Sequence, residues 1–248
     1  GNIFRAFSGL IKRGGGNSNV DLRVALIKKL VVGKSFTDIG CMWGIHGLYS
    51  FLAEEFGAKR VVAVDVYPET PEFQNEKLKR KSAIEFVLGD INMRDTVEKI
   101  GKCDVVFCSG VLYHTPDPFH LISRLRLICG NTLILHTAII PEVNGIKNAA
   151  VYYPFLNDAQ RKVWDLGVGK QLGISDPYEP ESGYGNWFWG LTPSCIESLL
   201  KCAGFKVSER YIGAFSGCFV CTVDSELFTP VSGDWTELPD ADFLKVKY

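Results

Sequence analysis

The 248-residue sequence is poor in histidine and methionine and carries almost no net charge. It has four histidines and two methionines, and its 27 Lys and Arg residues nearly balance 28 Asp and Glu residues. A formal charge of -1 gives no overall attraction to nucleic acid or to an anionic membrane, although it does not exclude a local basic patch. Four histidines provide no second ligand pair for a zinc site, so we expect no bound metal.

The sequence also lacks a secretory signal and a membrane-spanning apolar segment. Its eight cysteines are scattered through apolar segments, at positions 41, 103, 108, 129, 195, 202, 218 and 221. Cys218 and Cys221 have the spacing of a metal knuckle, but they lie in the strand-like run "GCFVCTV", which would point their thiols to opposite faces. We therefore expect reduced, mostly buried thiols in a cytoplasmic protein that does not bind membranes.

Short apolar runs alternate with amphipathic stretches from residue 35 onward. The runs "SFTDIG", "RVVAVDV", "IEFVLGD", "CDVVFCSG" and "NTLILHTAII" predict strands that are buried on both faces, which is typical of a parallel sheet covered by helices. "FKVSERYIG" and "SGCFVCTV", joined by a short loop at Gly213, predict a final antiparallel hairpin. The pattern therefore predicts an α/β fold with a doubly wound, seven-stranded, mostly parallel sheet.

We expect a single domain over residues 1–248, with additions to the sheet. These are N-terminal helices in residues 1–34, an insertion after strand five in residues 141–190, and a tail in residues 225–248. The insertion is rich in aromatic residues, in "VYYPF" (151–155) and "YGNWFWG" (184–190). It is either a lid whose rings shape an acceptor pocket, with Asn186 and Trp187 as substrate contacts, or a segment with its own small core.

In doubly wound sheets, ligands bind beyond the carboxyl ends of the strands. The spacing from Gly40, after strand one, to Asp65, after strand two, fits a carboxylate that accepts hydrogen bonds from both ribose hydroxyls. One strand later, Asp90 is placed to meet an adenine amino group, with the backbone N–H of Ile91 near the ring. The strand ends therefore predict a cofactor that contains adenosine.

The glycine turn "DIGCMWGIHG" argues against a dinucleotide. A pyrophosphate turn requires G-x-G-x-x-G, whereas Gly40, Gly44 and Gly47 are spaced four and three residues apart. This spacing, with Asp38 facing a positively charged amino-acid end of the ligand, fits a cofactor without phosphates.

Four segments in order, "DIGCMWG", "VVAVD", "VLGDI" and "FCSGVLYH", resemble the S-adenosylmethionine motifs of class I methyltransferases. The resemblance covers about residues 35–140. Within that superfamily, "GVLYHTPDPFHLI" and "GIHG" are most similar to the tRNA wobble-uridine carboxymethyltransferase group. The resemblance implies an S-adenosylmethionine site formed by Asp38, Gly40, Cys41, Gly44, Asp65, Val66, Asp90, Ile91 and Ser109.

Two departures from the family pattern concern the cofactor. Met42 replaces the middle glycine of the family's DxGxGxG, so its side chain either turns outward or changes the pocket. The carboxymethyltransferases hold a carboxylated cofactor partly through a lysine ahead of the first strand, and "NSNVDLRV" has none, which favours plain S-adenosylmethionine. Tyr113 matches the family's tyrosine for the cofactor carboxylate, so the carboxylated cofactor stays open.

Methyl transfer from a sulfonium is an in-line displacement, which requires alignment and sometimes a general base. Tyr113, His114 and His136 follow strands four and five, and we expect them to face the methyl group. Either histidine could take a proton from a hydroxyl or amine, or could instead be a hydrogen-bonded structural residue.

The sequence therefore predicts an S-adenosylmethionine-dependent methyltransferase that acts on a hydroxyl or amine of a small molecule or glycan. One alternative is tRNA modification, with "EKLKRK" (76–81) either contacting phosphates or forming a solvated helix face. The other alternative is a catalytically inactive cofactor-binding protein.

Overall fold

The computed structural model describes residues 17–165 and 177–224, and its element order follows the predicted alternation. The helices are α1 (Asn17–Leu30), α2 (Leu48–Glu55), α3 (Pro71–Arg80), α4 (Arg94–Ile100), α5 (Pro118–Ile128), α6 (Asp158–Asp165) and α7 (Pro193–Cys202). The strands are β1 (Ser35–Ile39), β2 (Arg60–Asp65), β3 (Glu85–Leu88), β4 (Cys103–Ser109), β5 (Cys129–Ala138), β6 (Ala150–Tyr152), β7 (Trp189–Leu191), β8 (Phe205–Ile212) and β9 (Ser216–Val223). The predicted N-terminal helix in residues 1–16 and the tail in residues 225–248 lie outside the described residues.

The main sheet has seven strands in the order β3-β2-β1-β4-β5-β9-β8. β1 pairs in parallel with β2 and with β4, and β2 pairs in parallel with β3. β8 and β9 form the predicted antiparallel hairpin. The prediction of a doubly wound, mostly parallel sheet with a reversed last strand pair is confirmed.

The prediction that the strands are buried on both faces holds for β1 but is wrong for β3. Every residue of β1 is buried, whereas β3 is half-buried or exposed along its length, and Leu88 is 55% exposed. The reason is position, since β3 is an edge strand and has only β2 as a neighbour.

Local sequence signals set the starts of two helices. The Thr70 side chain accepts a hydrogen bond from the N–H of Phe73 at the start of α3, and Pro71 occupies the first turn. α7 begins in the same way, with the Thr192 hydroxyl bound to the N–H of Cys195 and Pro193 in the first turn. Each threonine satisfies a backbone donor that has no partner within the helix.

The chain divides into two compact units, so the predicted single domain stays a prediction. Among the described residues, the first unit contains residues 17–108 and 124–134, and the second contains residues 109–123, 135–165 and 177–224. Within the second unit, β6 and β7 pair as a separate antiparallel ladder, with Val151 opposite Gly190. The insertion therefore has regular secondary structure of its own, and its Tyr153 packs with Ile140 in a small buried core.

The cysteines behave largely as predicted. All eight are free; six are buried, Cys195 is half-buried and Cys202 is exposed. In the described residues, no helix combines the length and apolar character needed to cross a membrane.

Candidate active site

The turn after β1 is shaped by glycines in the left-handed region. Gly40, Gly44 and Gly47 have φ values of 80°, 68° and 75°, which residues with a side chain rarely adopt. A Cβ at Gly47 would collide with the ring of Phe73, whereas a Cβ at Gly44 would meet no atom within 4 Å. Gly47 therefore serves helix packing, and Gly44 leaves open space beside the turn.

Met42 is a core residue, which accounts for its place in the turn. Its side chain is only 1% exposed, and its backbone N–H donates to Oδ2 of Asp65 over 2.6 Å. The side chain thus occupies the interior, and the backbone amide links the turns after β1 and β2. The side chain therefore turns into the core rather than outward, and its effect on the pocket stays a prediction.

Asp38 is a buried carboxylate with one oxygen lacking a partner. Ser50, in α2, donates its hydroxyl to Oδ2 over 2.7 Å, and Oδ1 has no hydrogen-bond partner among the described residues. Burial, with the nearby charge of Asp65, raises the pKa of Asp38 to about 7; the hydrogen bonds of Ser50 and, to a smaller extent, the guanidinium of Arg23 oppose this rise. An ionised carboxylate here would be strongly stabilised by a positively charged ligand group.

The Asp65 carboxylate is fixed by backbone donors on both oxygens. Besides the bond from Met42, its Oδ1 accepts from the N–H of Tyr67 over 2.9 Å. Burial raises its pKa, and these hydrogen bonds to the charged form oppose the rise. Each carboxylate oxygen has a further lone pair that can accept a hydroxyl.

The other predicted cofactor residues of the first unit line the same strand ends. Oδ1 of Asp90 accepts both the backbone N–H and the side-chain amide of Asn92, each over 2.9 Å. Ile91 and Cys41 are buried, and Val66 is half-buried. The carbonyl of Cys41 accepts the N–H of Gly47 over 2.7 Å, so Cys41 contributes to the turn through its backbone.

In the second unit, His114 is held in one tautomer. Its Nδ1 lies 2.8 Å from the backbone carbonyl oxygen of Asn186. Because a carbonyl can only accept, Nδ1 carries the proton and Nε2 of the neutral ring has a lone pair. Burial lowers the pKa of His114. The ring is therefore neutral at physiological pH, as a general base requires.

Tyr113 and Trp187 form an aromatic stack with His114. The centroids of the Tyr113 and Trp187 rings are 4.0 Å apart with a 30° interplanar angle, and the Tyr113 and His114 rings are 4.2 Å apart. The carbonyl of Tyr113 accepts the N–H of Phe188 over 2.9 Å. The structure thus brings together three of the predicted residues, from the turn after β4 and from the insertion.

The side chain of Asn186 forms hydrogen bonds within its own loop. Its Oδ1 accepts the N–H of Glu179 over 3.0 Å, and its Nδ2 donates to the carbonyls of Glu179 and Gly183 over 2.7 Å and 3.2 Å. The amide therefore closes its own loop. This loop also holds the carbonyl that accepts from His114, and the predicted substrate contact of Asn186 stays a prediction.

His136 and Ser109 form a separate pair. Nδ1 of His136 lies 3.2 Å from Oγ of Ser109, and the carbonyl of His136 accepts the N–H of Gly110 over 3.0 Å. Ser109, predicted as a cofactor contact, is thus a hydrogen-bond partner of a candidate base.

A family comparison matches residues 37–129 to the family described as "Methyltransferase domain". This range contains the glycine turn, Asp38 and Asp65, and the seven-stranded sheet has the arrangement that the family resemblance implies. Over residues 37–129 the chain is similar to methyltransferase domains, and its sheet has the strand order of the class I methyltransferase fold.

Relatives of this chain include a tRNA U34 carboxymethyltransferase of Campylobacter hominis, which is 34% identical over 179 residues. The match covers 64% of this chain and 59% of the relative, so the chain spans about three fifths of that protein.

Solved structures show the same fold. The magnesium protoporphyrin IX methyltransferase of Synechocystis PCC 6803 with bound S-adenosylhomocysteine has a TM-score of 0.54 and 20% identity, covering 83% of this chain and 82% of that one. The 1,6-didemethyltoxoflavin-N1-methyltransferase of Burkholderia thailandensis has a TM-score of 0.55 and 15% identity, covering 90% and 88%.

Three features of the candidate site could not be found by sequence reasoning. Ser50 and Arg23 act on Asp38 from helices that flank β1, and the Asn186 carbonyl acts on His114. A cation in the helix ahead of the first strand was visible as Arg23 in "NSNVDLRV", but only a lysine was sought there. Ser50 and the Asn186 carbonyl carry no local sequence signal.

Proposed function

We propose that this domain binds S-adenosylmethionine at the turn after β1 and transfers its methyl group to a nucleophilic acceptor. The observation that carries the proposal is the Asp38 carboxylate, which is buried behind a glycine turn and has an oxygen with no hydrogen-bond partner in residues 17–165 and 177–224. A buried carboxylate in this state is costly unless a ligand supplies a donor or a positive charge. The cofactor's α-ammonium group supplies both.

Arg23 and Asp38 provide opposite charges for the zwitterionic end of the cofactor. The Arg23 guanidinium lowers the pKa of Asp38 less than the hydrogen bonds of Ser50 do, and it lies 5.0 Å from the centroid of the Tyr49 ring. In the proposal, Asp38 binds the ammonium and Arg23 attracts the carboxylate. Gly44 leaves room for the ligand to approach the backbone.

The rest of the cofactor follows the carboxyl ends of the next two strands. Asp65, fixed by two backbone donors, accepts from the ribose hydroxyls through its remaining lone pairs. Asp90 and the backbone N–H of Ile91, after β3, meet the adenine. In the proposal, the ends of β1, β2 and β3 thus each bind a different part of one ligand, at the strand ends where doubly wound proteins bind their ligands.

In the transfer step, the acceptor's lone pair forms the new bond to the methyl carbon while the carbon–sulfur bond breaks toward sulfur. The chain's part is to align the acceptor and to remove its proton. We assign proton removal to Nε2 of His114, because Nδ1 is occupied by the Asn186 carbonyl and burial keeps the ring neutral. Tyr113, stacked against His114 and Trp187, helps to position the acceptor and the cofactor. His136 is the second candidate base.

The acceptor in this proposal is a hydroxyl or amine of a small molecule or glycan. A second candidate is tRNA, favoured by the relatives named tRNA U34 carboxymethyltransferase. Three of the four cations in residues 76–81 are paired with carboxylates, so they give tRNA binding little support. Lys77 pairs with Glu69, Lys79 with Glu76, and Arg80 with Glu76 and Glu55.

Calorimetric titration with S-adenosylhomocysteine tests the cofactor assignment. Arg23→Gln should weaken binding about tenfold, as expected for a hydrogen bond to a charged group. Lys28→Gln, which removes an exposed cation from the same helix, is the matched control and should bind as the wild type does. Equal affinity in all three proteins, or no binding by the wild type, would contradict the assignment.

A transfer assay separates the acceptor classes. An anticodon stem-loop with uridine at the wobble position is incubated with plain or carboxylated cofactor, and the RNA product is analysed by mass spectrometry. A modified wobble uridine, absent when cytidine replaces it, would establish the tRNA candidate. An unmodified RNA with a methylated low-molecular-weight acceptor would establish the first.

A further inference from the structure

Two contacts between a cation and an aromatic ring join α1 to α2 and its C-terminal cap. The guanidinium of Arg23 lies 5.0 Å from the centroid of the Tyr49 ring, in the first turn of α2. The ammonium of Lys28 lies 5.8 Å from the centroid of the Phe56 ring, at the cap that ends the same helix. Both distances are within the range in which a ring attracts a cation. The same two helices are therefore held by similar contacts at opposite ends of α2.

The contact at the start of α2 lies beside Asp38. Ser50, the residue after Tyr49, donates its hydroxyl to the Asp38 carboxylate over 2.7 Å, while the guanidinium of Arg23 lies over the Tyr49 ring. We propose that Tyr49 is a positioning residue that holds Arg23 beside Asp38, so that the first turn of α2 presents a paired cation and anion to the zwitterionic end of the cofactor. The inference rests on the proposed function and adds a residue that sets how strongly the amino-acid end is recognised.

The Tyr49 ring is held firmly by the core. It is 1% exposed, and its centroid is 5.0 Å from that of Phe107 in β4. Phe107 is the partner of Asp38 in the parallel pairing of β4 with β1, and it stacks on the ring of Phe36 with the centroids 6.2 Å apart. Close packing leaves such side chains little freedom. The ring and the carboxylate are therefore fixed to the same pair of strands.

The charge of Arg23 acts on both of its neighbours. Burial raises the pKa of the Tyr49 phenol to about 12, and the charge of Arg23 opposes this rise. Arg23 also lowers the pKa of Asp38, against the larger effect of burial. The phenol is therefore neutral at physiological pH and attracts the guanidinium through its π face. A planar guanidinium also stacks on a ring, whereas a lysine ammonium is a compact, strongly hydrated charge.

Holding Arg23 in place favours a ligand that carries a carboxylate. An arginine side chain has many rotamers, and fixing one of them upon binding reduces affinity. The contact with Tyr49 restricts these rotamers in the free protein, so less entropy is lost when the cofactor's carboxylate binds. Methylthioadenosine has the adenosine and the thioether but neither charge of the amino-acid end. Its affinity should therefore not depend on Tyr49 or Arg23.

Calorimetric titration of the full chain with S-adenosylhomocysteine and with methylthioadenosine tests the inference. Tyr49→Leu should weaken S-adenosylhomocysteine binding about fivefold and leave the affinity for methylthioadenosine unchanged. Tyr49→Phe keeps the ring face and should bind both ligands as the wild type does. Phe56→Leu, the matched control, removes the ring beneath Lys28 at the other end of α2 and should change neither affinity.

Variants of Arg23 test the same contact without removing a buried ring, and thermal melts report whether each variant keeps its fold. Arg23→Lys keeps the charge but loses the planar group, and it should weaken S-adenosylhomocysteine binding about threefold. Tyr49→Leu added to Arg23→Gln should cause no further loss, because the two residues act through one contact. Three outcomes would overturn the inference: equal losses for the two ligands in Tyr49→Leu, wild-type affinity in Arg23→Lys, or additive losses in the double variant.

An NMR titration of Asp38 in the ligand-free protein separates the inference from the proposed function. Its pKa should rise in both Tyr49→Leu and Arg23→Gln, since the first change releases the nearby positive charge and the second removes it. If it rises but the wild type does not bind S-adenosylhomocysteine, the proposed function fails and the positioning of Arg23 stands. If S-adenosylhomocysteine binds equally to the wild type and Tyr49→Leu, the inference fails and the proposed function stands.

Discussion

The imidazole of His114 donates from Nδ1 to the backbone carbonyl of Asn186, a residue 72 positions away in the chain. This bond leaves Nε2 unprotonated in a ring whose pKa is lowered by burial. The Asn186 side chain reinforces the arrangement by closing its own loop onto Glu179 and Gly183. The insertion is therefore part of the proposed catalytic apparatus through its backbone.

Nitrogen-15 NMR of the imidazole groups should find His114 as the Nδ1–H tautomer at neutral pH. Its pKa should lie below the ordinary value of 6.5, because burial disfavours the charged ring. The spectrum of His114→Gln assigns the resonance. An Nε2–H tautomer, or a pKa above 6.5, would contradict the assignment of Nε2 as the base.

Met42→Gly, which restores the glycine of the family motif, should destabilise the domain without strengthening cofactor binding. Removing a side chain that is 1% exposed leaves a cavity, and such changes cost about 2–5 kcal/mol of unfolding free energy. Met42→Leu keeps the volume and should cost less than about 1.5 kcal/mol. Chemical denaturation measures both. A glycine variant that is as stable as the wild type and binds cofactor more tightly would show that the methionine obstructs the site.

Asp65→Asn should weaken S-adenosylhomocysteine binding by about tenfold to a hundredfold, since the amide loses charge-assisted bonds to the ribose hydroxyls. Part of this loss reflects the Met42 N–H, which donates to the carboxylate in the free protein. Asp95→Asn, at an exposed carboxylate in the first turn of α4, is the matched control in the same titration. Equal affinities in the two variants would remove Asp65 from the site.

The strand ends were predictable because buried parallel strands are short, apolar and separated by helices. The pattern and the family resemblance placed the turn from Asp38 to Gly44 and the carboxylates Asp65 and Asp90 at these strand ends, where the structure has them, and their cofactor contacts stay predictions. The exposure of β3 was not predictable from its composition, since an edge strand and a central strand can have equally apolar sequences.

Contacts between segments that are far apart in the chain could not be predicted from the sequence either. Whether the Met42 side chain enters the core or faces the ligand depends on the packing of the whole turn. The bond between Ser50 and Asp38 and the bond between His114 and Asn186 depend on how helices and loops fold back onto the strands. The pairing of β6 with β7, which gives the insertion a core of its own, likewise joins segments that are distant in the chain.

The pH dependence of cofactor binding tests the central claim most directly. The pKa of Asp38 is raised to about 7, so the carboxyl is protonated below that pH and cannot pair with the cofactor's ammonium group. Calorimetric titration with S-adenosylhomocysteine should therefore show affinity falling about eightfold from about pH 7.5 to about pH 6. Asp38→Asn should bind more weakly and lose most of this dependence. Wild-type affinity that is constant across this range, or an identical slope in Asp38→Asn, would contradict the account.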